Sequence, residues 1–227
     1  MPRESYREQL AELRENVLYM SEIVLERLRI GLAALESKDD ELAWEVIEGD
    51  DEINELYLKL EQDCIDLLAL QQPVAGDLRF IAASFKIITD LERIADLAVN
   101  LGDYALEANR DVFPDVDIQG LGTAVHEMVE DAMAAYDEET TETCFDIAER
   151  DDQVDADCTR ASQLVVRDLI ETQLEESGDG GAAVERLMTD VQRLLLTIRD
   201  LERIGDHAVN IAARTLYMVE NSDELIY

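Results

Sequence analysis

Carboxylates recur at a helical spacing in both halves of the chain. Glu92 is followed four residues later by Asp96, and Glu202 is followed four residues later by Asp206. Side chains four residues apart lie on one face of an α-helix, with their Cβ atoms about 5–6 Å apart. Two like charges at this distance cost the helix a few tenths of a kcal/mol, and a cation between them reverses the sign. The spacing therefore predicts a cation-binding pair in each half.

A second pair with the same spacing lies upstream of each of these. The first member of each upstream pair, Asp50 or Asp151, falls in or beside an apolar helical stripe, where burying a carboxylate is costly unless the group is paired. Two such helices side by side would present four ligands per half, a set that suits hard cations such as Mg²⁺, Ca²⁺ or Mn²⁺, and also iron. A divalent or ferric ion is expected, and its identity stays open between iron, zinc, manganese, magnesium and calcium. The predicted metal ligands are Asp50, Asn54, Glu92, Asp96, Asp151, Asp155, Glu202 and Asp206.

The competing interpretation is an ordinary charged surface. With 54 acidic residues in 227, some pairs at this spacing arise by chance. Arg93 and Arg203 each lie three residues before the aspartate of the local pair, so an ion pair within the helix could satisfy that aspartate. Chance does not supply the same set of polar residues in both halves, and this repetition favours metal binding.

The elements that position these residues come from a duplication. Residues 90–100 read DLERIADLAVN and residues 200–210 read DLERIGDHAVN, so nine of eleven positions are identical at a fixed offset of 110. A repeat on this scale indicates two copies of one supersecondary unit. Hydrophobic residues recur three and four positions apart through each half, which predicts three helices per copy.

The predicted fold is all-α, with two tandem three-helix bundles and six long helices in total. The first bundle is expected over 1–110, a linker over 111–119, and the second bundle over 120–227. Asp77 is predicted to cap the third helix, and residues 177–181 (SGDGG) to form a loop before the last helix.

Charge excludes several classes of partner. The chain has 54 acidic against 19 basic residues, a formal net charge of −35. Such a surface repels the phosphates of nucleic acids and anionic lipid headgroups, so neither is an expected partner. Charge of this size favours adaptation to a cytoplasm of high salt, where self-repulsion is screened.

The cysteines and the hydropathy point to the cytoplasm. Cys64, Cys144 and Cys158 form no C-x-x-C pair and are expected to be reduced thiols in the core. No apolar run approaches the roughly 18 residues that a spanning helix needs, so direct membrane insertion is not expected.

Enzymatic chemistry is the weaker alternative. A di-iron oxidase built on a helical bundle needs E-x-x-H motifs, whereas the spacing here is E-x-x-x-D. His207 is expected to be a surface or partly packed residue, because Leu97 occupies the equivalent position in the first copy. Asn100 and Asn210 are expected to cap helices or to hydrogen-bond between them. A non-enzymatic binding protein is favoured over a carboxylate-bridged metal enzyme and over a purely structural helical protein.

The repeated motif, together with QQPVAGDLRF at residues 71–80, resembles the PhoU family of phosphate-transport regulators. The resemblance implies two three-helix bundles, usually in a homodimer, with metal clusters at the E/D-x-x-x-D motifs. It also implies negative control of high-affinity phosphate uptake and of phosphate-starvation signalling, through contact with the ATPase subunit of the phosphate ABC transporter and a sensor histidine kinase. Asn54 departs from a carboxylate, which implies a weaker first cluster.

Overall fold

The computed structural model describes residues 2–71, 73–107, 116–175 and 181–226, and within these ranges the chain is helical without strands. The helical segments are α1 (Pro2–Ser37), α2 (Asp40–Glu48), α3 (Asp50–Gln71), α4 (Ala75–Glu107), α5 (Ile118–Glu138), α6 (Glu142–Glu175) and α7 (Gly181–Glu220). Gly49 separates α2 from α3, but its backbone (φ −79°, ψ −5°) stays in the right-handed region. The two segments therefore form one interrupted helix, and the predicted all-α fold of six long helices is confirmed.

The helices pack as two bundles. In the first, α1 and the interrupted α2–α3 rod pack against α4, and in the second, α5 and α6 pack against α7. The bundles join where α4 packs along α7 and α1 contacts α5. A single hydrophobic core runs through both, and it includes fully buried side chains such as Val24, Ile88, Val125 and Leu201. The tandem arrangement of three-helix bundles is confirmed.

The helix ends follow local side-chain chemistry. Asp39 caps α2, accepting hydrogen bonds from the backbone N–H groups of Glu41 and Leu42. The prediction that Asp77 caps the third helix is wrong, because α4 begins at Ala75 and Asp77 lies within its first turn. At that position the negative charge of Asp77 interacts favourably with the positive end of the helix dipole. Most of the predicted linker and the loop before α7, residues 111–115 and 177–180, lie outside the described residues.

The three cysteines are buried and free, as predicted. Burial raises the pKa of the Cys64 thiol to about 12, so this thiol stays protonated in the core. Among the described helices, none offers a stretch long and apolar enough to cross a lipid bilayer.

Candidate metal sites

The first cluster comprises four residues on α3 and α4: Asp50, Asn54, Glu92 and Asp96. Burial raises the pKa values of Glu92 and Asp96, and the nearby charge of Asp50 raises both further. The Asn54 amide donates a hydrogen bond of 2.7 Å to Asp50 Oδ2. One carboxylate oxygen of this cluster is therefore already satisfied by a neutral donor.

The second cluster comprises four carboxylates on α6 and α7: Asp151, Asp155, Glu202 and Asp206. Burial, followed by the charges of Asp155 and Asp206, raises the pKa of Asp151 to about 7. The pKa values of Glu202 and Asp206 are raised for the same reasons, burial first and then the charge of Asp155. Four acids crowded in this way are costly to ionise together.

Two oxygens of the second cluster are unsatisfied. Asp151 Oδ1 and Asp155 Oδ1 are buried and have no hydrogen-bond partner in the described part of the chain. A buried carboxylate oxygen without a partner carries a desolvation penalty that a hydrogen bond or a cation would offset. The donor set of the second cluster therefore fits a hard cation. In the first cluster the Asn54 amide already serves as partner to a carboxylate oxygen of Asp50.

The clusters are not closed coordination shells. In the described residues, no three Asp, Glu, His or Cys side chains converge tightly enough to hold a metal ion as they stand. A divalent cation would have to draw these carboxylates closer together to complete a coordination shell. Asp96 and Asp206 are exposed, so both clusters lie at the surface of their bundles.

The arginines do not neutralise the aspartates in the way that the surface interpretation requires. Within the described residues, neither Arg93 nor Arg203 forms an ion pair with the aspartate three residues later; the nearest carboxylate oxygen to Arg203 is Asp200 Oδ1, 3.8 Å from its Nη1. The charge of Arg203 lowers the pKa of Asp206 and also that of Asp96, in the other bundle, in each case against the larger effect of burial. The two clusters thus face a shared α4–α7 interface.

Reciprocal hydrogen bonds hold α4 and α7 together along the repeated motif. Asn100 Nδ2 donates to Asp200 Oδ2 at 3.1 Å, and Asn210 Nδ2 donates to Asp90 Oδ1 at 3.5 Å. The first residue of each motif thus pairs with the last residue of the other, so the two helices run antiparallel here. The predicted hydrogen bonding of both asparagines between helices is confirmed.

Asp90 and Asp200 are the positioning residues that the sequence analysis missed. Their exposed fractions are 6% and 0%, and Tyr104 donates a further hydrogen bond of 2.8 Å to Asp200 Oδ2. A signal was available, since an aspartate begins both copies of a motif that ends in asparagine. These hydrogen bonds fix the register of the helices that carry Glu92 and Glu202.

His207 is a buried residue, and the prediction of a surface or partly packed position is wrong. It is 7% exposed, and its Nδ1 lies 2.9 Å from Asp90 Oδ1. Its face of α7 packs on α4, and Asp90 supplies the partner that a buried imidazole needs. Leu97, at the equivalent position in the first bundle, is buried as well.

Comparison with known proteins places the chain in a family. The family model described as PhoU domain matches residues 17–105 and again residues 118–215. The chain belongs to the PhoU family. Each match contains one of the two clusters and one copy of the repeated motif.

Relatives of similar length support the PhoU assignment. A Pseudomonas aeruginosa protein named phosphate-specific transport system accessory protein PhoU homolog is 30% identical over 223 residues, which is 97% of this chain and 87% of the relative. A protein named phosphate-specific transport system accessory protein PhoU homolog 1, from Methanothermobacter thermautotrophicus, is 31% identical over 221 residues, covering 96% and 95%.

Solved PhoU structures share the fold. The crystal structure of PhoU from Pseudomonas aeruginosa superposes with a TM-score of 0.84 at 30% identity, covering 96% of this chain and 100% of that one. The phosphate transport system regulatory protein PhoU from Streptococcus pneumoniae gives a TM-score of 0.83 at 26% identity, covering 96% and 98%. The bundle arrangement described above is therefore that of PhoU proteins.

The two copies of the PhoU repeat motif in this chain differ at two positions. In the second copy, both positions lie beside the second cluster. Ala95 and Leu97 of the first motif correspond to Gly205 and His207 of the second. A Cβ atom at position 205 would lie 2.9 Å from Asp151 Oδ1, which is closer than real Cβ contacts allow. Gly205 therefore makes room for the carboxylate of Asp151.

Substituting Gly205→Ala is expected to displace the Asp151 carboxylate and to weaken cation binding at the second cluster by about tenfold, the size of effect typical of changes beside a metal ligand. Manganese titration followed by calorimetry measures this affinity. Ala95→Gly in the first copy of the motif is the matched control and should leave binding at the second cluster unchanged. An unaltered affinity in Gly205→Ala would show that the close approach has no role in the site.

Proposed function

We propose that this protein is a regulatory adaptor of phosphate transport that carries metal ions at its two carboxylate clusters. The observation that carries the regulatory role is the match over nearly the whole chain to relatives named phosphate-specific transport system accessory proteins. In this proposal the protein acts in the cytoplasm as a homodimer. It represses high-affinity phosphate uptake through the ATPase subunit of the phosphate ABC transporter, and phosphate-starvation signalling through a sensor histidine kinase.

The metal part of the proposal is supported by the unsatisfied oxygens of the second cluster. Asp151, Asp155, Glu202 and Asp206 would hold a cation that cross-links α6 to α7 and offsets their mutual repulsion. Oxygen ligands without imidazole or thiolate favour magnesium, calcium, manganese or iron over zinc. The first cluster would bind more weakly, because Asn54 contributes no charge and already hydrogen-bonds to Asp50.

The proposal includes no catalysed reaction. Asp96 and Asp206 are exposed, so the clusters lie on the outside of the bundles, whereas di-iron carboxylate enzymes enclose their metals in the bundle core. The names of these relatives describe accessory and regulatory roles.

The test replaces the chromosomal copy with the Asp96→Asn, Asp206→Asn double variant. We expect several-fold higher phosphate uptake in phosphate-replete cells, together with less bound metal in the purified protein, because each cluster loses a charged ligand. Uptake of labelled phosphate and elemental analysis are the two measurements. Retention of the transporter's ATPase subunit on the immobilised protein provides an independent measure of partner contact.

Asp103→Asn is the matched control, since Asp103 is an exposed carboxylate on α4 outside the first cluster. The metal-dependent role fails if the double variant loses its metal but represses phosphate uptake as the unmodified protein does. The adaptor role itself fails if deleting the protein leaves phosphate uptake unchanged and the immobilised protein retains no ATPase subunit.

A further inference from the structure

A cleft of about 710 Å³ opens beside the second cluster. Its wall includes Asp151 and Asp206 of the second cluster together with Arg93 and Arg203. Each bundle contributes one of these arginines, at equivalent positions of the repeated motif. The cleft is lined mainly by α6 and α7, and α4 of the first bundle contributes Arg93.

The two guanidinium groups are available to a ligand. Arg93 is exposed and forms no hydrogen bond or ion pair with any other described residue. Arg203 is 48% exposed at its side chain, and its ion pair with Asp200 is long, at 3.8 Å. Planar guanidinium groups bind oxyanions with paired hydrogen bonds, and phosphate is a preferred partner.

A buried polar side chain also lines this cleft. His207 uses Nδ1 to contact Asp90, and within the described chain its Nε2 has no hydrogen-bond partner. His207 is 7% exposed yet lies in the cleft wall. A nitrogen that is held in place but unpartnered at the wall of a cavity is a polar contact for a ligand.

The carboxylates in the cleft wall oppose the binding of an anion. Glu149, Asp151, Asp152 and Asp206 outnumber the two arginines, so the cleft repels anions unless a cation is bound. Hard cations held by carboxylates commonly take phosphate oxygens as further ligands. A phosphate oxyanion is the ligand class that can meet both a cation and a pair of arginines.

We propose that this cleft binds a phosphate-type oxyanion between a metal ion at the second cluster and the guanidinium groups of Arg93 and Arg203. The inference rests on the proposed metal site. The oxyanion is either inorganic phosphate or the phosphoryl group of a small organic molecule. The volume of the cleft and the side chains of Phe145, Val209 and Leu225 in its wall leave space for an organic part.

The experiment measures metal first and phosphate second. Protein is loaded with Mn²⁺, dialysed and assayed for metal by elemental analysis, and binding of ³²P-labelled phosphate is then measured by equilibrium dialysis at fixed ionic strength. We expect one phosphate per chain in the loaded protein and no binding in the metal-free protein. Arg93→Gln and Arg203→Gln should each weaken binding by about tenfold or more with metal content unchanged.

Arg160→Gln is the control variant, because Arg160 lies on α6 outside the cleft and pairs with Asp157. The oxyanion site is overturned if loaded protein binds no phosphate, if metal-free protein binds it equally, or if both arginine variants bind as the unmodified chain does. Failure of Mn²⁺ to bind would overturn the metal site as well, and elemental analysis shows this before phosphate is added.

Competition separates the two sources of the oxyanion. Displacement of labelled phosphate by adenosine monophosphate but not by adenosine supports an organic phosphate. Displacement by unlabelled phosphate alone supports the free ion. Displacement by adenosine itself would contradict recognition of the oxyanion.

Discussion

Substituting Asp200→Ala is expected to lower the free energy of unfolding by about 2–4 kcal/mol. The Asp200 side chain is fully buried, and it accepts hydrogen bonds from Asn100, Tyr104 and Arg199. Removing it leaves the polar groups of Asn100 and Tyr104 without their acceptor at the interface between the bundles. The cost of unsatisfied donors exceeds the gain from no longer burying a charge, because the carboxylate is satisfied by several partners.

Urea denaturation measures this loss, with Asp103→Ala as the matched control. Asp103 lies on α4 between Asn100 and Tyr104 but is exposed, so its replacement should change stability by no more than about 0.5 kcal/mol. A double-mutant cycle between Asp200→Ala and Asn100→Ala isolates the energy of the pair. A coupling energy near zero would contradict the role assigned to the reciprocal hydrogen bonds.

Tyr104 gives a second, local readout of the same substitution. The pKa of Tyr104 is raised to about 12, by burial first and then by the hydrogen bond to Asp200 and the charge of that carboxylate. In Asp200→Ala the phenol should therefore titrate at a lower pH, as followed by NMR of labelled tyrosine. A general loosening of the fold would move the other tyrosines too.

The helices and their pairing in each bundle could be predicted from the sequence, because helical periodicity reports which face of a helix is buried. The same spacing argument placed Glu92 with Asp96, and it anticipated that Asp50 would meet them from the neighbouring helix. The first inference needs only the local geometry of a regular helix, and the second adds the expectation that consecutive helices of a bundle pack side by side.

The contacts between the two bundles could not be predicted in this way. Periodicity shows which face of each helix is apolar, but it does not name the partner helix, and it did not reveal that His207 is buried. Asp90 is a buried acid on an apolar stripe, and only the antiparallel packing of α4 on α7 reveals that His207 and Asn210 satisfy it. The room that Gly205 leaves for Asp151 likewise depends on how closely α6 approaches α7.

Stability of the metal-free protein is expected to fall as pH rises from about 4 to 8. The pKa of Asp151 is about 7 in the folded protein, above the ordinary value of about 3.9 that it takes when unfolded. Between these values the folded state holds a proton that the unfolded state has released, so unfolding becomes easier as pH rises. The contribution is fully present below about pH 4 and is lost above about pH 7.

A bound cation should reverse this trend. Metal binding requires ionised carboxylates, so the gain in stability on adding Mn²⁺ should grow over the same pH range in which the metal-free protein weakens. At a free concentration of about 100 times Kd, the gain at pH 8 should be about 2.7 kcal/mol. Denaturation at pH 5 and pH 8, with Mn²⁺ and with chelator, measures the stability of the metal-free protein and the gain that the metal gives at each pH.

Substituting Asp151→Asn should produce effects of opposite sign in these two conditions. Without metal at pH 8, the variant should be more stable than the unmodified protein by about 1–2 kcal/mol, after allowance for solvent screening, because the repulsion at the second cluster is relieved. With Mn²⁺, most of the stabilisation should be absent, since the site has lost a charged ligand. Asp146→Asn, an exposed acid on the same helix, is the control and should show neither effect.

This reversal of sign separates a binding site from a structural acid. A carboxylate that merely supports the fold would destabilise the protein when replaced, with or without metal. A carboxylate kept for a cation costs stability when the cation is withheld and contributes it when the cation is bound. If Asp151→Asn is destabilising under both conditions, the second cluster is part of the scaffold, and neither a metal nor an oxyanion belongs in the adjoining cleft.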